Sequence, residues 1–197
     1  PVFGETCPHY LWLEAHRLGW EAPAGLLHVC APPLRTAPHL DALWRGLTDG
    51  TLDEVSTDHC PFDWHDGKSR GLSASGEDFT ATPGGLPGVE TRLPLLYAGG
   101  VAAGRFGLER FVDLVSTAPA RLAGLAGQKG VLAPGADADL VIFDPDGWTS
   151  LSAADLHMNV DHSPYEGLTA AGKVVGVIRA GVMVVWNDQL RAQLPPG

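Results

Sequence analysis

Between Ala37 and Leu47 the apolar residues Leu40, Leu43, Trp44 and Leu47 fall at helical spacing. Gly50 closes that helix, and a strand-like run from Leu52 to Thr57 follows after a short connection. Helix followed closely by strand is the rhythm of a parallel α/β fold, and it narrows what the rest of the chain can form. The run ends in Asp58, with Pro61 close behind to stop the strand. Val55-Ser56-Thr57-Asp58-His59-Cys60-Pro61-Phe62 therefore places a carboxylate at the carboxyl end of a strand, the rim where such folds keep catalytic groups. A carboxylate there can ligate a hard or borderline metal, act as a general base, or do both. Taken alone, the octapeptide reads more readily as an aspartate capping the turn that leaves a strand. The other segments reverse that order.

Val2 to Thr6 is β-prone and runs into Cys7-Pro8-His9. Pro8 limits the strand, so Cys7 and His9 are expected on a strand-end loop. Thiolate and imidazole are good zinc ligands, but without a second pair at matching spacing the better account is a buried apolar Cys7 and a hydrogen-bonding His9. Leu26 to Ala31 is a second apolar run, stopped by Pro32-Pro33. Two prolines remove two donors and hold the chain extended, which leaves the backbone polar groups of Ala31 free of any ladder. That suits either a rigid connector or a backbone-presenting ligand site, and Arg35 beside it reads as solvated charge.

Asp63 to Pro83 is polar, rich in Gly and Ser and without period, so a long loop is expected where the chain leaves Asp58. It ends in Pro83-Gly84-Gly85-Leu86-Pro87-Gly88, where adjacent glycines allow a tight turn or close approach to a ligand. Helices are expected from about Val89 to Ala103, Leu108 to Val115 and Ala118 to Leu125. After Lys129 the texture turns to β: Gly130 to Pro145 reads as a turn between two strands, and Val174–Ile178 with Val182–Trp186 reads as a hairpin about Arg179-Ala180-Gly181.

A net charge of −10 without a Lys/Arg-rich run argues against nucleic-acid binding. Three cysteines at irregular spacing argue against a disulfide framework and fit a reducing, cytoplasmic compartment. No apolar run approaches membrane-spanning length. The chain opens at Pro1 directly into a strand-like run and reads as the later part of a longer polypeptide.

Four segments together carry a resemblance: Glu5-Thr6-Cys7-Pro8-His9-Tyr10-Leu11, Ala31-Pro32-Pro33-Leu34-Arg35, Ser56-Thr57-Asp58-His59-Cys60-Pro61-Phe62 and Pro83-Gly84-Gly85-Leu86-Pro87-Gly88-Val89-Glu90. In content and order the set resembles hydantoinases and dihydropyrimidinases, cyclic amidohydrolases related to allantoinases and dihydroorotases. Gly135-Ala136-Asp137-Ala138-Asp139-Leu140-Val141-Ile142 looks like the superfamily's return to a small β-domain. Asn159-Val160-Asp161-His162-Ser163-Pro164-Tyr165-Glu166-Gly167 is similar to a segment of the hydantoinase branch.

The resemblance implies a (β/α)₈ barrel of the TIM type joined to a β-sandwich. Residues 1–128 would hold its last two strands with the following helices, and residues 129–197 the C-terminal part of the sandwich. It implies hydrolysis of the amide C–N bond of a small cyclic amide by two zinc ions, in a homo-oligomer (dimer or tetramer). Of the family's metal ligands only the last-strand aspartate falls in this chain, as Asp58, which would also carry the proton to the departing nitrogen. The histidines and carbamylated lysine would lie upstream. The substrate's ring amide would be held by backbone groups at Ala31 and Gly84, where many hydantoinases have serine and asparagine; the Gly84-Gly85 pair is similar to allantoinases. The family also includes non-catalytic relatives that act as assembly proteins.

Overall fold

The computed structural model describes residues 2–19, 21, 24–73 and 76–192. It has an α/β fold that divides into two compact units, one of residues 1–92 with 150–169 and one of residues 93–149 with 170–197.

In the first unit two short strands, β1 (Glu5–Thr6) and β2 (Glu54–Val55), pair in parallel, with Glu5 opposite Glu54 and Thr6 opposite Val55. Parallel partners need a crossover between them, and here it includes helix α2 (Ala37–Asp49). Its apolar stripe buries Leu40, Trp44 and Leu47, and the Trp44 indole N–H donates to Leu11 O at 3.0 Å. The helix ends where its spacing predicts, at Gly50 with φ +86, a left-handed conformation that glycine adopts without a Cβ penalty. Leu13, Leu26, Leu34, Leu47, Val55, Leu86, Leu151 and Tyr165 are buried in this unit.

Two local expectations are corrected here. Pro8 does not merely end a strand: it opens helix α1 (Pro8–Trp12), with Cys7 in the extended cap position. Proline lacks an N–H that the first turn does not use, so the residue that stops β1 equally starts a helix. The apolar run before Pro32, a candidate rigid connector between a strand and a helix, opens instead with a 3₁₀ turn at Leu26–His28. The long loop after Asp58 holds short structure of its own: a 3₁₀ turn at Lys68–Gly71, the antiparallel pair β3 (Leu72–Ser73) and β4 (Gly76–Glu77), and a second 3₁₀ turn at Phe79–Ala81.

In the second unit α3 (Arg92–Leu96) runs on into a π-helical turn at Tyr97–Ala102. Helix α4 (Leu108–Val112) does the same at Asp113–Thr117 before α5 (Ala118–Leu122). A four-stranded sheet follows in the order β5 (Leu140–Ser150), β6 (Thr169–Arg179), β7 (Val182–Trp186), β8 (Gln189–Leu190). The β6–β7 hairpin turns at Ala180-Gly181, both at positive φ, as the sequence predicts. The expected turn up to Pro145 is shorter, because β5 begins at Leu140 and runs through Pro145. Tyr97, Phe111 and Phe143 pack with ring centroids 4.9 to 6.1 Å apart. Gly172 makes room for them, since a methyl group there would come within 2.4 Å of the Phe143 ring. Among the described residues no helix is long and apolar enough to cross a membrane.

Candidate active site

The parallel pairing of β1 and β2 sends both strands out on the same side. Ser56 N donates to Thr6 O at 3.0 Å, and the Cys7 Sγ lies 3.2 Å from the Ser56 Oγ. Two residues further on Asp58 turns left-handed, at φ +44, a region that aspartate enters more readily than most residues. It is exposed, and among the described residues its carboxylate makes no ion pair and no hydrogen bond.

The Asp58 charge is felt around this rim. Burial raises the Cys7, Tyr10 and Cys30 pKa values, and the Asp58 charge adds to each shift. His9 is 3 % exposed and its Nε2 has no partner among the described residues. Burial pushes its imidazole down to about 4, against which the Asp58 charge pulls upward. His9 is thus held neutral near pH 7, buried in α1 rather than standing on a loop.

Ala31 and Gly84, far apart in sequence, are neighbours. A methyl group on Gly84 would sit 3.6 Å from both the Ala31 Cβ and N, an ordinary van der Waals contact. The Ala31–Pro32 peptide is cis. Among the described residues neither Ala31 nor Gly84 has a backbone hydrogen bond, and both are exposed. The chain around them is held firmly all the same. Gly85 N donates to Val29 O at 3.1 Å, the Tyr10 hydroxyl donates to Pro32 O at 2.8 Å, and the Cys30 thiol donates to the same carbonyl at 3.3 Å. Two fixed turns thus leave backbone groups unused among the described residues, as the double proline leads one to expect at Ala31.

Further contacts, foretold by no local pattern, tie these turns to the residues around Asp58. His59 Nδ1 accepts from the Gly88 and Val89 amides, at 3.0 and 3.2 Å. Cys60 N donates to Leu86 O at 3.1 Å, and Gly85 packs so closely that a methyl group there would lie 2.5 Å from Cys60 O. Arg92 Nη1 donates to Val55 O at 3.1 Å, at the end of β2. Beneath the turns, wholly buried Lys68 donates to Val29 O at 2.6 Å and Pro83 O at 3.0 Å. Burial holds its ammonium down to about 8, with the neighbouring Cys30 and Cys60 thiols acting in the opposite direction.

The 159–167 segment fastens the loop beyond Asp58. The Asp161 carboxylate accepts from Trp64 N at 2.9 and 3.0 Å and lies 3.1 Å from the His162 Nδ1, while Tyr165 is fully buried. Just before that segment, Glu90 accepts from His157 N at 2.6 Å and pairs with its Nδ1 at 2.8 Å.

As a metal centre the described residues are incomplete: among them no three His, Cys, Asp or Glu side chains converge to hold an ion. An exposed, unpaired carboxylate such as Asp58 fits the part of one ligand, so a metal here needs donors from elsewhere.

The chain matches the model of the Amidohydrolase family over residues 7–184. It is 46% identical over 181 residues to a D-phenylhydantoinase of Escherichia coli O1:K1, covering 92% of this chain and 38% of that protein. It is also 46% identical over 185 residues to a D-hydantoinase of Streptomyces coelicolor, covering 94% of this chain and 38% of that protein. The structure of a D-hydantoinase from Bacillus sp. AR9 superposes with a TM-score of 0.92 at 43% identity, over 98% of this chain and 41% of that one. A dihydropyrimidinase from Brevibacillus agri gives 0.88 at 42% identity, over 96% and 40%. The chain therefore spans about two-fifths of the length of the relatives it matches.

Proposed function

From the premise that this chain belongs to the amidohydrolase family, we propose that it supplies one metal ligand, a proton carrier and the substrate-gripping turns of a metal-dependent cyclic amidohydrolase. The ring opened is a hydantoin or a dihydropyrimidine, the classes carried in the names of its relatives. One observation carries this reading. Asp58, three residues beyond β2, is exposed and has no partner among the described residues, beside the loops that present the Ala31 and Gly84 backbone.

Zinc, when bound, supplies a water acidic enough to be hydroxide near neutral pH. The rest falls to the chain's own groups. Backbone donors and acceptors at Ala31 and Gly84 pair with the polar edge of the ring amide and fix its carbonyl carbon for attack. A ring amide has one N–H and one C=O side by side, which two adjacent backbone segments match without a charged side chain. As the oxygen–carbon bond forms and the C–N bond breaks, the Asp58 carboxylate takes the proton of the attacking hydroxide and returns it to the departing nitrogen. No net proton is gained or lost by the protein.

On this reading residues 1–128 are the closing part of a (β/α)₈ barrel and residues 129–197 part of a β-sandwich. The remaining zinc ligands lie on other barrel strands of a cytoplasmic homo-oligomer. The test is Asp58→Ala in the whole polypeptide that carries this chain, assayed with hydantoin and dihydrouracil. Turnover of both should fall by at least 10³-fold, an estimate based on the loss of an essential proton carrier. Zinc content by elemental analysis should also fall. Undiminished hydrolysis removes the reading, and a zinc-free, inactive parent protein reassigns the chain to the non-catalytic assembly relatives.

A further inference from the structure

Lys68 stands apart from every other cation in the first unit. It is wholly buried, and no carboxylate lies within ion-pairing distance of it among the described residues. A buried ammonium without a counter-ion is costly, and an apolar residue of similar length would ordinarily serve the core better. What the ammonium gains is two backbone carbonyls, Val29 O and Pro83 O. One lies two residues before Ala31, the other immediately before Gly84. Val29 O also accepts from Gly85 N, so a single carbonyl joins the ammonium to both turns.

The local chain is built to deliver that side chain. Lys68 N donates to Asp63 O at 3.0 Å and Ser69 N to Trp64 O at 2.8 Å, which starts the 3₁₀ turn at Lys68. Gly71 then lets the loop fold back: a methyl group there would lie 2.0 Å from the Thr82 Oγ1. The Cys30 and Cys60 thiols are near enough to act on the Lys68 charge, which sets the ammonium under both rim loops.

We propose that Lys68 is a positioning residue for substrate binding. Its ammonium fixes the spacing between the Ala31 and Gly84 backbones and so the grip on the ring amide. The inference rests on the proposed function, in that the two turns must be the substrate-binding ones. Lys68 itself touches neither the substrate nor the reacting atoms. Removing its ammonium should weaken the binding of substrate and leave the chemical step largely intact.

The test is Lys68→Met in the whole polypeptide, which keeps the stem and removes the donor. With hydantoin or dihydrouracil, KM should rise about tenfold or more, the scale of one lost charge-assisted hydrogen bond. The kcat should change less than about threefold and zinc content not at all. An unchanged KM in a folded variant overturns the proposal, as does a fall in kcat with KM held. If Lys68→Met does not fold, Lys68→Arg decides, because its longer, forked head keeps donors but shifts the turns. A KM raised at least threefold at constant kcat supports positioning, and a wild-type KM refutes it. Failure of both variants to fold assigns Lys68 to the core alone and also refutes it. Asp58→Ala separates the two claims. If that variant loses turnover while Lys68→Met keeps its KM, only the Lys68 inference falls; if Asp58→Ala keeps turnover, the functional reading falls first.

Discussion

His59 Nδ1 accepts hydrogen bonds from the Gly88 and Val89 amides, so the residue next to Asp58 fastens the turn that follows the Gly84-Gly85 pair. An acceptor at Nδ1 fixes the proton on Nε2. The imidazole is therefore a bracket between the Asp58 loop and the 84–89 turn. Thr91 Oγ1 closes the same turn by donating to Gly88 O at 3.1 Å.

His59→Ala should destabilise the protein by about 1–3 kcal/mol, the penalty for amides left without a partner. Urea denaturation of wild type and variant measures it. A change below about 0.5 kcal/mol would mean that water replaces the ring at no loss.

The two adjacent glycines should answer differently to the same added methyl. Gly85→Ala meets Cys60 O at 2.5 Å and the Cys60 Cβ and Sγ at 2.9 Å, backbone and side chain that cannot both retreat. A loss of about 1–3 kcal/mol is expected from such overpacking. Gly84→Ala meets nothing closer than 3.6 Å and should leave the melting temperature nearly unchanged. Its methyl enters the gap beside Ala31, so KM should rise for cyclic amide substrates. Equal melting temperatures for the two variants would contradict this account.

Acid should weaken the fold through His9. Its folded pKa is about 4, against an ordinary value of 6.5, because it is buried. The unfolded chain binds the proton as pH falls through 6.5, while the folded chain resists until about 4. The stability that neutral His9 contributes is thus complete above about 6.5 and is lost as pH falls towards 4. Denaturation midpoints measured across that window should decline, and His9→Gln should flatten the decline. Parallel profiles for wild type and variant would exclude His9 as a source of the slope.

Tyr10→Phe removes the hydroxyl that donates to Pro32 O, where the Cys30 thiol remains as a second donor. A net loss of about 0.5–1.5 kcal/mol is expected. KM should rise modestly, since the carbonyl belongs to the residue after Ala31. Calorimetry and steady-state kinetics on the same preparation test both parts.

Local patterns in the sequence were enough for α2, whose apolar spacing and terminal Gly50 act within the element itself. They were enough for the β6–β7 hairpin, where Ala180-Gly181 sets the turn. The unused backbone at Ala31 was readable because proline acts on its immediate neighbours, whereas β2 stops at Val55 rather than Thr57, so Asp58 stands three residues beyond the strand. Pro8 misled because the same missing N–H ends a strand and begins a helix. Lys68 was invisible for a different reason. In a polar loop a lysine reads as solvated charge, and only the distant carbonyls of Val29 and Pro83 explain its burial. His59 was hidden likewise, since its partners lie about thirty residues away, at Gly88 and Val89.

The left-handed backbone at Asp58 makes that position a conformational filter as well as a chemical one. β-Branched and bulky replacements would have to bend the strand exit before their chemistry could be compared, so their loss of activity would confound two causes. Asparagine, which accepts the same dihedral angles and nearly the same volume, changes the charge alone. A replacement series at this site, Asp58→Ala included, is therefore best calibrated against that one amide.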